Sequence, residues 1–150
     1  MNHPNIKIRR LTINDIDALM KLLTQLWPDK PVVENAVKNV IEKGLNNDSQ
    51  IYICATDNEK LIGYCSLSIK NNLWMEATSG NVDELVVDNE YRNQGVGKLL
   101  MAEIEKIAQD YMCKRLYLES AFHRTIAHEF YEKFGYEKRV YSSYYFTKEI

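Results

Sequence analysis

Apolar and polar residues alternate over several short runs of the chain, and a period of two is typical of β-strands. Residues 50–56 and 61–69 alternate on either side of a polar turn at 57–60, which predicts a β-hairpin. We interpret residues 70–80 as a polar loop and Val82 as the start of a central strand. The remaining runs predict an opening strand, a strand after the central one and a final strand pair, over residues 6–9, 115–119 and 136–148.

Apolar residues spaced by three and four positions predict the helices. Thr12 and Asp15 have the form of a capping box, which starts the first helix, and Pro28 ends it. The side chains that this helix is expected to bury are Ile16, Leu19, Met20, Leu23, Leu26 and Trp27. A second helix is expected to open at Pro31 and to close at Gly44. Its expected inward side chains are Val33, Val37, Val40 and Ile41.

Two further helices follow the central strand. The longer one carries apolar residues as far as Tyr111, and a short one spans residues 126–134 before Gly135. The resulting order is β-α-α-β-β-β-α-β-α-β-β, which describes an α/β fold with a mixed sheet. With 150 residues, the chain is expected to form a single domain over 1–150.

Composition and charge exclude several classes of protein. The chain is 45% apolar, enough for a proper core, and its formal net charge of −2 gives no electrostatic reason to expect nucleic acid binding. Cys54, Cys65 and Cys113 are scattered without a C-x-x-C pair, so we expect neither a disulfide framework nor a metal site. No apolar run approaches the ~20 residues of a membrane span. We therefore expect a cytoplasmic protein that binds no membrane.

A loop with two glycines follows the central strand and leads into the long helix. The first N–H groups of a helix have no intrahelical partner, and the helix dipole places positive potential there, so this position suits an anion. Gly95 and Gly97 allow the backbone to approach a phosphate, and Arg92 and Lys98 add charge. The loop lacks the third glycine of G-x-G-x-x-G, and only Gly97 and Lys98 fit G-x-x-x-x-G-K-[ST]. An ordinary glycine-rich turn is the alternative.

Two motifs together resemble those of the GCN5-related N-acetyltransferases. One is Arg92-x-x-Gly95-x-Gly97 after a strand, and the other is the segment 127–136, which resembles the family's A-x-x-F-Y-E-K-x-G-[FY] helix. The order of elements is also the one expected of that family, over essentially the whole chain. The resemblance implies a twisted, mostly antiparallel sheet flanked by helices. It also implies direct transfer of an acetyl group from acetyl-CoA to a primary amine in a ternary complex, without a metal.

The resemblance further implies where acetyl-CoA would bind. Backbone groups at the end of the central strand would pair with the pantetheine arm like an added strand, and loop N–H groups would hold the pyrophosphate. The implied cofactor-binding residues are Leu85, Val86, Val87, Arg92, Asn93, Gln94, Gly95, Val96, Gly97, Lys98, Arg124 and Tyr131. Tyr131 matches a position near the thioester sulfur, where its hydroxyl would donate a proton or a hydrogen bond to the leaving thiolate. The alternative for Tyr131 is a helix residue that packs on the sheet. Arg124 stands where the family often has asparagine, so it either alters a coenzyme contact or faces a phosphate.

Carboxylates are the candidates for binding the acceptor amine and taking its proton, because an ammonium ion cannot attack. Asp83 and Glu84 are neighbours on the central strand, so we expect their side chains to point to opposite faces, with one of them at the site. Glu119, at the end of the following strand, is a third candidate. Residues 26–29 resemble a segment of aminoglycoside 6′-N-acetyltransferases, so Trp27 is a candidate acceptor contact as well as a candidate core residue.

The expected acceptor is a small cationic amine such as an aminoglycoside or a polyamine. A protein N-terminus or lysine is the alternative acceptor, and a coenzyme-binding regulatory module without turnover is the alternative class. The tyrosine-rich residues 141–146 are suited to pairing across a two-fold axis, so a homodimer is expected.

Overall fold

A computed structural model describes residues 5–140 and 143–150 of the chain, which divides into two compact units, Met1–Glu119 and Ser120–Ile150. The strands described in the first unit are β1 (Ile6–Arg10), β2 (Gln50–Asp57), β3 (Lys60–Asn72), β4 (Ala77–Val87) and β5 (Arg115–Leu118). Its helices are α1 (Ile16–Leu26), α2 (Glu34–Leu45) and α3 (Val96–Asp110), with 3₁₀ turns at Ile13–Asp15 and Asn89–Tyr91. The second unit contains α4 (Thr125–Lys133).

The sheet follows the order of the chain. β1 to β4 are antiparallel neighbours, and β5 pairs with β4 in parallel. The β4–β5 pairing begins with Ser79 opposite Arg115 and ends with Val82 opposite Leu118. From residue 83 to Val87, β4 pairs only with β3 among the described strands. The predicted mixed, mostly antiparallel sheet is confirmed, and beyond Val82 one edge of β4 has no strand partner among residues 5–140 and 143–150.

A polar cap starts the first helical segment, as predicted. The Thr12 N–H donates to Asp15 Oδ2 at 2.8 Å, and Arg9 Nη1 donates to the same oxygen at 2.8 Å. The capping box opens the 3₁₀ turn, and α1 continues from it and ends at Leu26, just before Pro28. Because proline disfavours helical angles at the residue that precedes it, the end of α1 was predictable.

α1 and α2 cover one face of the sheet with a buried apolar cluster. The helix residues of this cluster are Ile16, Leu19, Leu22, Leu23 and Ile41, and its sheet residues are Tyr52, Cys54, Leu61, Tyr64 and Val86. Met20, Leu26 and Trp27, which were expected to be buried, pack against the cluster and are only partly buried. Leu22 fills a buried position instead, which the predicted helical stripe left out.

α3 covers the opposite face. Gly63 lies beside Tyr64 on β3, so its Cα faces away from the α1–α2 cluster, and a Cβ there would lie 3.0 Å from Leu100 Cδ1 and 3.2 Å from Val96 Cγ1 of α3. The buried residues of α3 are Val96, Leu100, Met101, Ile104, Ile107 and Ala108. Tyr111 was expected to be part of this face, but it lies on the surface, where its hydroxyl donates to the Asp48 carbonyl at 2.9 Å.

The second helix differs from its prediction in both its start and its end. α2 begins at Glu34 rather than Pro31, and Val33 and Val40 are 61% and 62% exposed rather than inward. Gly44 does not stop the helix, which continues to Leu45. A Cβ at Gly44 would lie 2.0 Å from Tyr52 Oη, so glycine is needed there for the close approach of α2 to the sheet. Gly44 is therefore required by tertiary packing, although in the sequence a glycine at this position is also typical of a helix end.

The predicted polar loop over residues 70–80 is wrong. β3 continues to Asn72 opposite Ala77 of β4, and the connection is reduced to residues 73–76, with Glu76 at φ 53°. Backbone pairing between the two strands extends the ladder through side chains that have little apolar character, which a hydrophobic pattern does not detect. Leu73 and Trp74 are exposed at the tip of this hairpin, whereas Met75 is buried.

A final strand pair was predicted over residues 136–148. No strand is found in residues 136–140 and 143–148, and residues 141 and 142 lie outside the described residues. Tyr144, Tyr145 and Phe146 are about nine-tenths exposed, at 90%, 91% and 88%. The high strand preference of aromatic residues reflects packing on a sheet surface, and these side chains have no such packing. The short helix is confirmed, and Gly135 at φ 100° follows its end, with its N–H donating to the Glu132 carbonyl at 3.1 Å.

Candidate active site

The unpaired edge of β4 is the first component of the site. Beyond Val82 the strand pairs with β3 from Glu84 opposite Ser66 to Val87 opposite Gly63, and no described strand adjoins its other side. Residues 85–87 therefore present backbone donors and acceptors along an open edge. Such an edge can accept an extended polar ligand as an added strand. The three residues implied in pantetheine binding, Leu85, Val86 and Val87, are all part of it.

A turn and a glycine loop connect this edge to α3. Asn93 and Gly95 both have left-handed backbone angles, with φ 60° and φ 85°, and α3 begins at the next residue, Val96. A Cβ at Gly95 would meet nothing within 4 Å, so the left-handed angle, rather than crowding, is what favours glycine there. No side chain caps the start of α3. The first N–H groups of α3 are therefore available to an anionic ligand, with the positive end of the helix dipole behind them.

The side chains of the loop support this geometry. Arg92 Nε donates to the Val87 carbonyl at 3.0 Å and so joins the loop to the end of β4. Gln94 Nε2 donates to the Glu90 carbonyl at 2.9 Å, while its buried Oε1 has no hydrogen-bond partner among the described residues. Lys98 is exposed in the first turn of α3. All seven residues from 92 to 98 that are implied in cofactor binding thus lie in one loop and the helix turn that follows it.

Asp83 and Glu84 lie on the same face of the sheet, contrary to the sequence-based expectation of opposite faces. Ser66 is opposite Glu84 and Leu67 is opposite Val82, so Asp83 is an extra residue in a β-bulge. The Ser66 hydroxyl donates to Glu84 Oε2, and the Ser68 hydroxyl donates to Asp83 Oδ2. Side chains two positions apart on a strand share a face, so both carboxylates contact the face of β3 that carries these two serines.

The two carboxylates have different surroundings. Burial raises the pKa of the Glu84 carboxyl, the hydrogen bond from Ser66 opposes that rise, and the charge of Asp83 adds to it. Asp83 is exposed, and its Oδ1 accepts a hydrogen bond from Asn81 Nδ2 at 2.8 Å. Glu84 is thus the carboxylate with the raised proton affinity, and Asp83 is the one in contact with solvent.

The other predicted acceptor contacts are placed unequally. Glu119 is exposed and follows Leu118, which pairs with Val82 at the end of the parallel ladder. Glu119 on β5 and Asp83 on β4 therefore each lie one residue beyond that ladder. Trp27 packs against the α1–α2 cluster, with Lys30 Nζ 5.5 Å from the centroid of its ring. Trp27 therefore has the surroundings of a half-buried core residue.

The second unit carries the two remaining candidates. Tyr131 lies on α4, partly buried, with its ring 5.4 Å from that of Phe130 and 6.0 Å from that of Tyr136. Arg124 is the N-cap residue of α4, and its N–H donates to the Ala121 carbonyl at 3.0 Å. The roles of Tyr131 and Arg124 in coenzyme binding stay predictions from the resemblance.

Sequence reasoning missed the polar residues that hold the carboxylates. Ser66 and Ser68 contact the two acids, and Gln50 Nε2 donates to the Ser68 hydroxyl at 3.2 Å. The signal was present, because two serines at alternate positions interrupt the apolar face of a predicted strand. Without the register of β3 and β4, nothing linked those serines to Asp83 and Glu84.

Comparison with known proteins identifies the class. The sequence profile of the acetyltransferase (GNAT) family matches residues 16–136, and the chain belongs to this family. It is 27% identical over 147 residues to the aminoalkylphosphonate N-acetyltransferase of Salmonella typhimurium (strain LT2), which covers 98% of this chain and 93% of that protein. It is 24% identical over 135 residues to the aminoglycoside N(6′)-acetyltransferase type 1 of Stenotrophomonas maltophilia, which covers 87% of this chain and 86% of the relative. The predicted class of enzyme, an N-acetyltransferase, is confirmed.

A solved structure agrees with the fold. Aminoglycoside N-acetyltransferase AAC(6′)-Iy in complex with CoA superposes with a TM-score of 0.83 at 20% identity, over 95% of each chain. The predicted α/β fold of this family is confirmed. Within residues 5–140 and 143–150, no helix has the length and apolar character needed to cross a membrane. The same residues contain no group of three or more histidines, cysteines or acids that could hold a metal ion.

Proposed function

We propose that this protein acetylates a small cationic amine, such as an aminoglycoside or a polyamine, with acetyl-CoA as the donor and by direct attack in a ternary complex. One observation carries the proposal. The bulge at Asp83 turns two adjacent carboxylates to one face of β4, immediately before its unpaired edge. A cationic amine held there would lie beside an acyl donor that runs along that edge.

The open edge and the loop support the binding of acetyl-CoA. Its pantetheine amides would pair with backbone groups of residues 85–87, and its pyrophosphate would accept hydrogen bonds from the loop and the first turn of α3. The buried Gln94 Oε1 faces no donor among the described residues, so it is free to accept a hydrogen bond from a bound molecule. Arg92 and Lys98 add positive charge at this end of the site.

The carboxylates support a division of roles in the reaction. Asp83 is exposed, so it is suited to attracting and orienting the ammonium form of the acceptor. Burial raises the pKa of Glu84, which favours its protonation, so we assign to Glu84 the acceptance of the amine proton. The free amine then forms a bond to the thioester carbonyl carbon, and the carbon–sulfur bond breaks. As the amide forms, the nitrogen releases a second proton to solvent, from which the acid that protonates the thiolate recovers its own. We assign the Tyr131 hydroxyl as the donor of the proton that the leaving thiolate takes up, because Tyr131 lies in the α4 motif that resembles the family's.

The named relatives favour a small acceptor, and the charges of this chain favour a cationic one. One relative is named for an aminoalkylphosphonate and another for an aminoglycoside, both of them small molecules with an amine. Glu119 adds a third carboxylate, which is exposed, next to the end of the β4–β5 pairing. Three acidic groups attract a polycation and repel a phosphonate. We therefore place an aminoglycoside or a polyamine ahead of an aminoalkylphosphonate.

A panel of amines tests the proposal. The purified protein and acetyl-CoA are mixed with spermidine, an aminoglycoside, an aminoalkylphosphonate or a short peptide, and CoA thiol release is followed with mass analysis of the product. We expect acetylation of one of the two polycations, with a KM that rises with salt and in Asp83→Asn. Turnover of peptides alone would refute the small-amine acceptor. Binding of CoA by calorimetry without turnover of any amine would favour the regulatory module.

Tyr131→Phe tests the assigned acid. The variant should bind acetyl-CoA with unchanged affinity and lose about 10- to 100-fold in kcat, because the thiolate would then have to be protonated by water. The loss should be larger at high pH, where water donates protons less readily. Unchanged kcat would show that Tyr131 is a packing residue of α4.

A further inference from the structure

We infer that Ser66 is a positioning residue that holds the carboxylate of Glu84 in the orientation needed to accept the amine proton. The inference rests on the proposed function, and it assigns a role to a residue that neither the motifs nor the comparisons single out. Ser66 lies on β3, one strand away from the open edge of β4.

The Ser66 hydroxyl makes two contacts with the same residue. It accepts a hydrogen bond from the Glu84 N–H at 3.1 Å and donates to Glu84 Oε2. A serine hydroxyl has one donor and two acceptor positions, so this pair of bonds uses the donor and one acceptor. The Tyr64 hydroxyl, two residues away on the same strand, is a further hydrogen-bond partner of the Ser66 side chain. The backbone and the carboxylate of Glu84 are thereby fixed relative to each other, which limits rotation of the side chain.

The location of Ser66 makes this contact rigid. Ser66 is 1% exposed, and it lies directly opposite Glu84 at the point where the β-bulge inserts Asp83. A bulge locally disrupts the ladder of backbone hydrogen bonds, so a side chain that bonds to the backbone there restores part of that support. Ser68 plays the corresponding part for Asp83, but it also contacts Gln50 and lies nearer to solvent.

The groups around Glu84 leave Ser66 with a distinct electrostatic role. Among the described residues, the titratable groups that interact with the Glu84 carboxylate include Asp83 beside it, Tyr52 on β2, and Tyr64 and Cys65 on β3. None of these groups is a cation. Burial and Asp83 both raise the pKa of Glu84, and the Ser66 hydrogen bond lowers it. Removing the hydroxyl should therefore raise the pKa of Glu84 further and release its side chain.

Ser66→Ala and Ser68→Ala form a matched pair for the test, because each removes one hydroxyl from the same face of β3. The pH profile of kcat/KM and the plateau kcat are measured for the best acceptor, together with the pKa of the Glu84 carboxyl by NMR. In Ser66→Ala we expect the acidic limb of the kcat/KM profile to shift to higher pH and the pKa of the Glu84 carboxyl to rise with it. The plateau kcat should fall about ten-fold or more, the size expected for a lost hydrogen bond to a charged group. In Ser68→Ala the limb should stay in place while KM rises.

Ser66→Cys checks that a change in folding is not the cause. Its thiol is a weak donor of similar size, so its limb and its kcat should lie between those of wild type and Ser66→Ala, at unchanged melting temperature. If the wild-type enzyme is active but the acidic limb of the pH profile is not shifted in Ser66→Ala, the role of Ser66 is refuted and the proposed function is not. A carboxyl pKa that moves while the limb does not would show that Glu84 is not the base, and would overturn the inference together with that assignment. Wild-type enzyme without turnover of any amine would refute the proposed function itself.

Discussion

Replacing Glu84 with glutamine removes the charge of the side chain and keeps its shape. The amide oxygen of glutamine can still accept the hydrogen bond from the Ser66 hydroxyl, and the backbone bond from residue 84 to Ser66 at 3.1 Å is unaffected. The site thus retains its geometry and loses a group that can accept a proton. The variant separates the chemical role of the carboxylate from its structural role.

The expected effects on activity and on stability have opposite signs. A missing general base typically lowers the rate by about 10²- to 10⁴-fold, which corresponds to about 2.7–5.5 kcal/mol in the activation barrier. The pKa of Glu84 is raised by burial in the folded protein, above its ordinary value of 4.5, so the folded state binds the proton more tightly than the unfolded chain. Ionised Glu84 therefore destabilises the fold, and the free energy of unfolding falls as the pH rises from about 4.5 through the folded-state pKa. At pH 7, Glu84→Gln should be at least as stable as wild type.

Two measurements check this prediction. Urea unfolding at pH 7 and pH 4 gives the stability difference. It should favour the variant at pH 7 and shrink at pH 4, where the carboxyl is mostly protonated in both states. Steady-state kinetics gives the loss in kcat, and Asp83→Asn is the control, with a raised KM and little change in stability because Asp83 is exposed. A variant that is both less stable at pH 7 and fully active would refute the reasoning, since Glu84 would then be a structural residue.

Three further substitutions test the fold around the site. Gly95→Ala places a Cβ at φ 85°, which should cost about 1–2 kcal/mol of stability by denaturation and weaken CoA binding in calorimetry; unchanged affinity would argue against the loop as the anion site. Gly44→Ala places a Cβ 2.0 Å from Tyr52 Oη. The cost of overpacking, about 1–3 kcal/mol, should exceed the gain in helix propensity of about 1 kcal/mol, so the variant should be less stable. A melting temperature above that of wild type would contradict this expectation. Asp15→Asn breaks the pair with Arg9, a hydrogen bond that lowers the pKa of Asp15, and should cost about 1 kcal/mol at pH 7. This cost should shrink as the pH falls below about 3.8, because a carboxylate with a lowered pKa stabilises the fold only while it is ionised, and a pH-independent cost would be evidence against the ion pair.

Local signals in the sequence were sufficient for the first helix and for the glycine loop. The capping box at Thr12 and the proline after Trp27 act on neighbouring residues, so they predicted the start and the end of the first helical segment. The glycine loop was predictable for the same reason, since the left-handed angle of Gly95 is a property of a few consecutive residues. Local signals failed where another element decided the outcome, as at Gly44, whose packing on Tyr52 has the appearance of a helix stop.

The sequence alone was enough to predict the family, the order of strands and helices from β1 to α4, and the glycine loop before α3, because each depends on residues close together in the chain. Only the tertiary structure decided how the carboxylates are arranged. Alternation along a free strand would separate Asp83 and Glu84, whereas the register of β3 against β4 makes Asp83 an extra residue and turns both acids toward Ser66 and Ser68. A bulge arises from the pairing of two strands rather than from either strand alone. The sequence of residues 82–87 therefore could not predict which side chains contact these carboxylates.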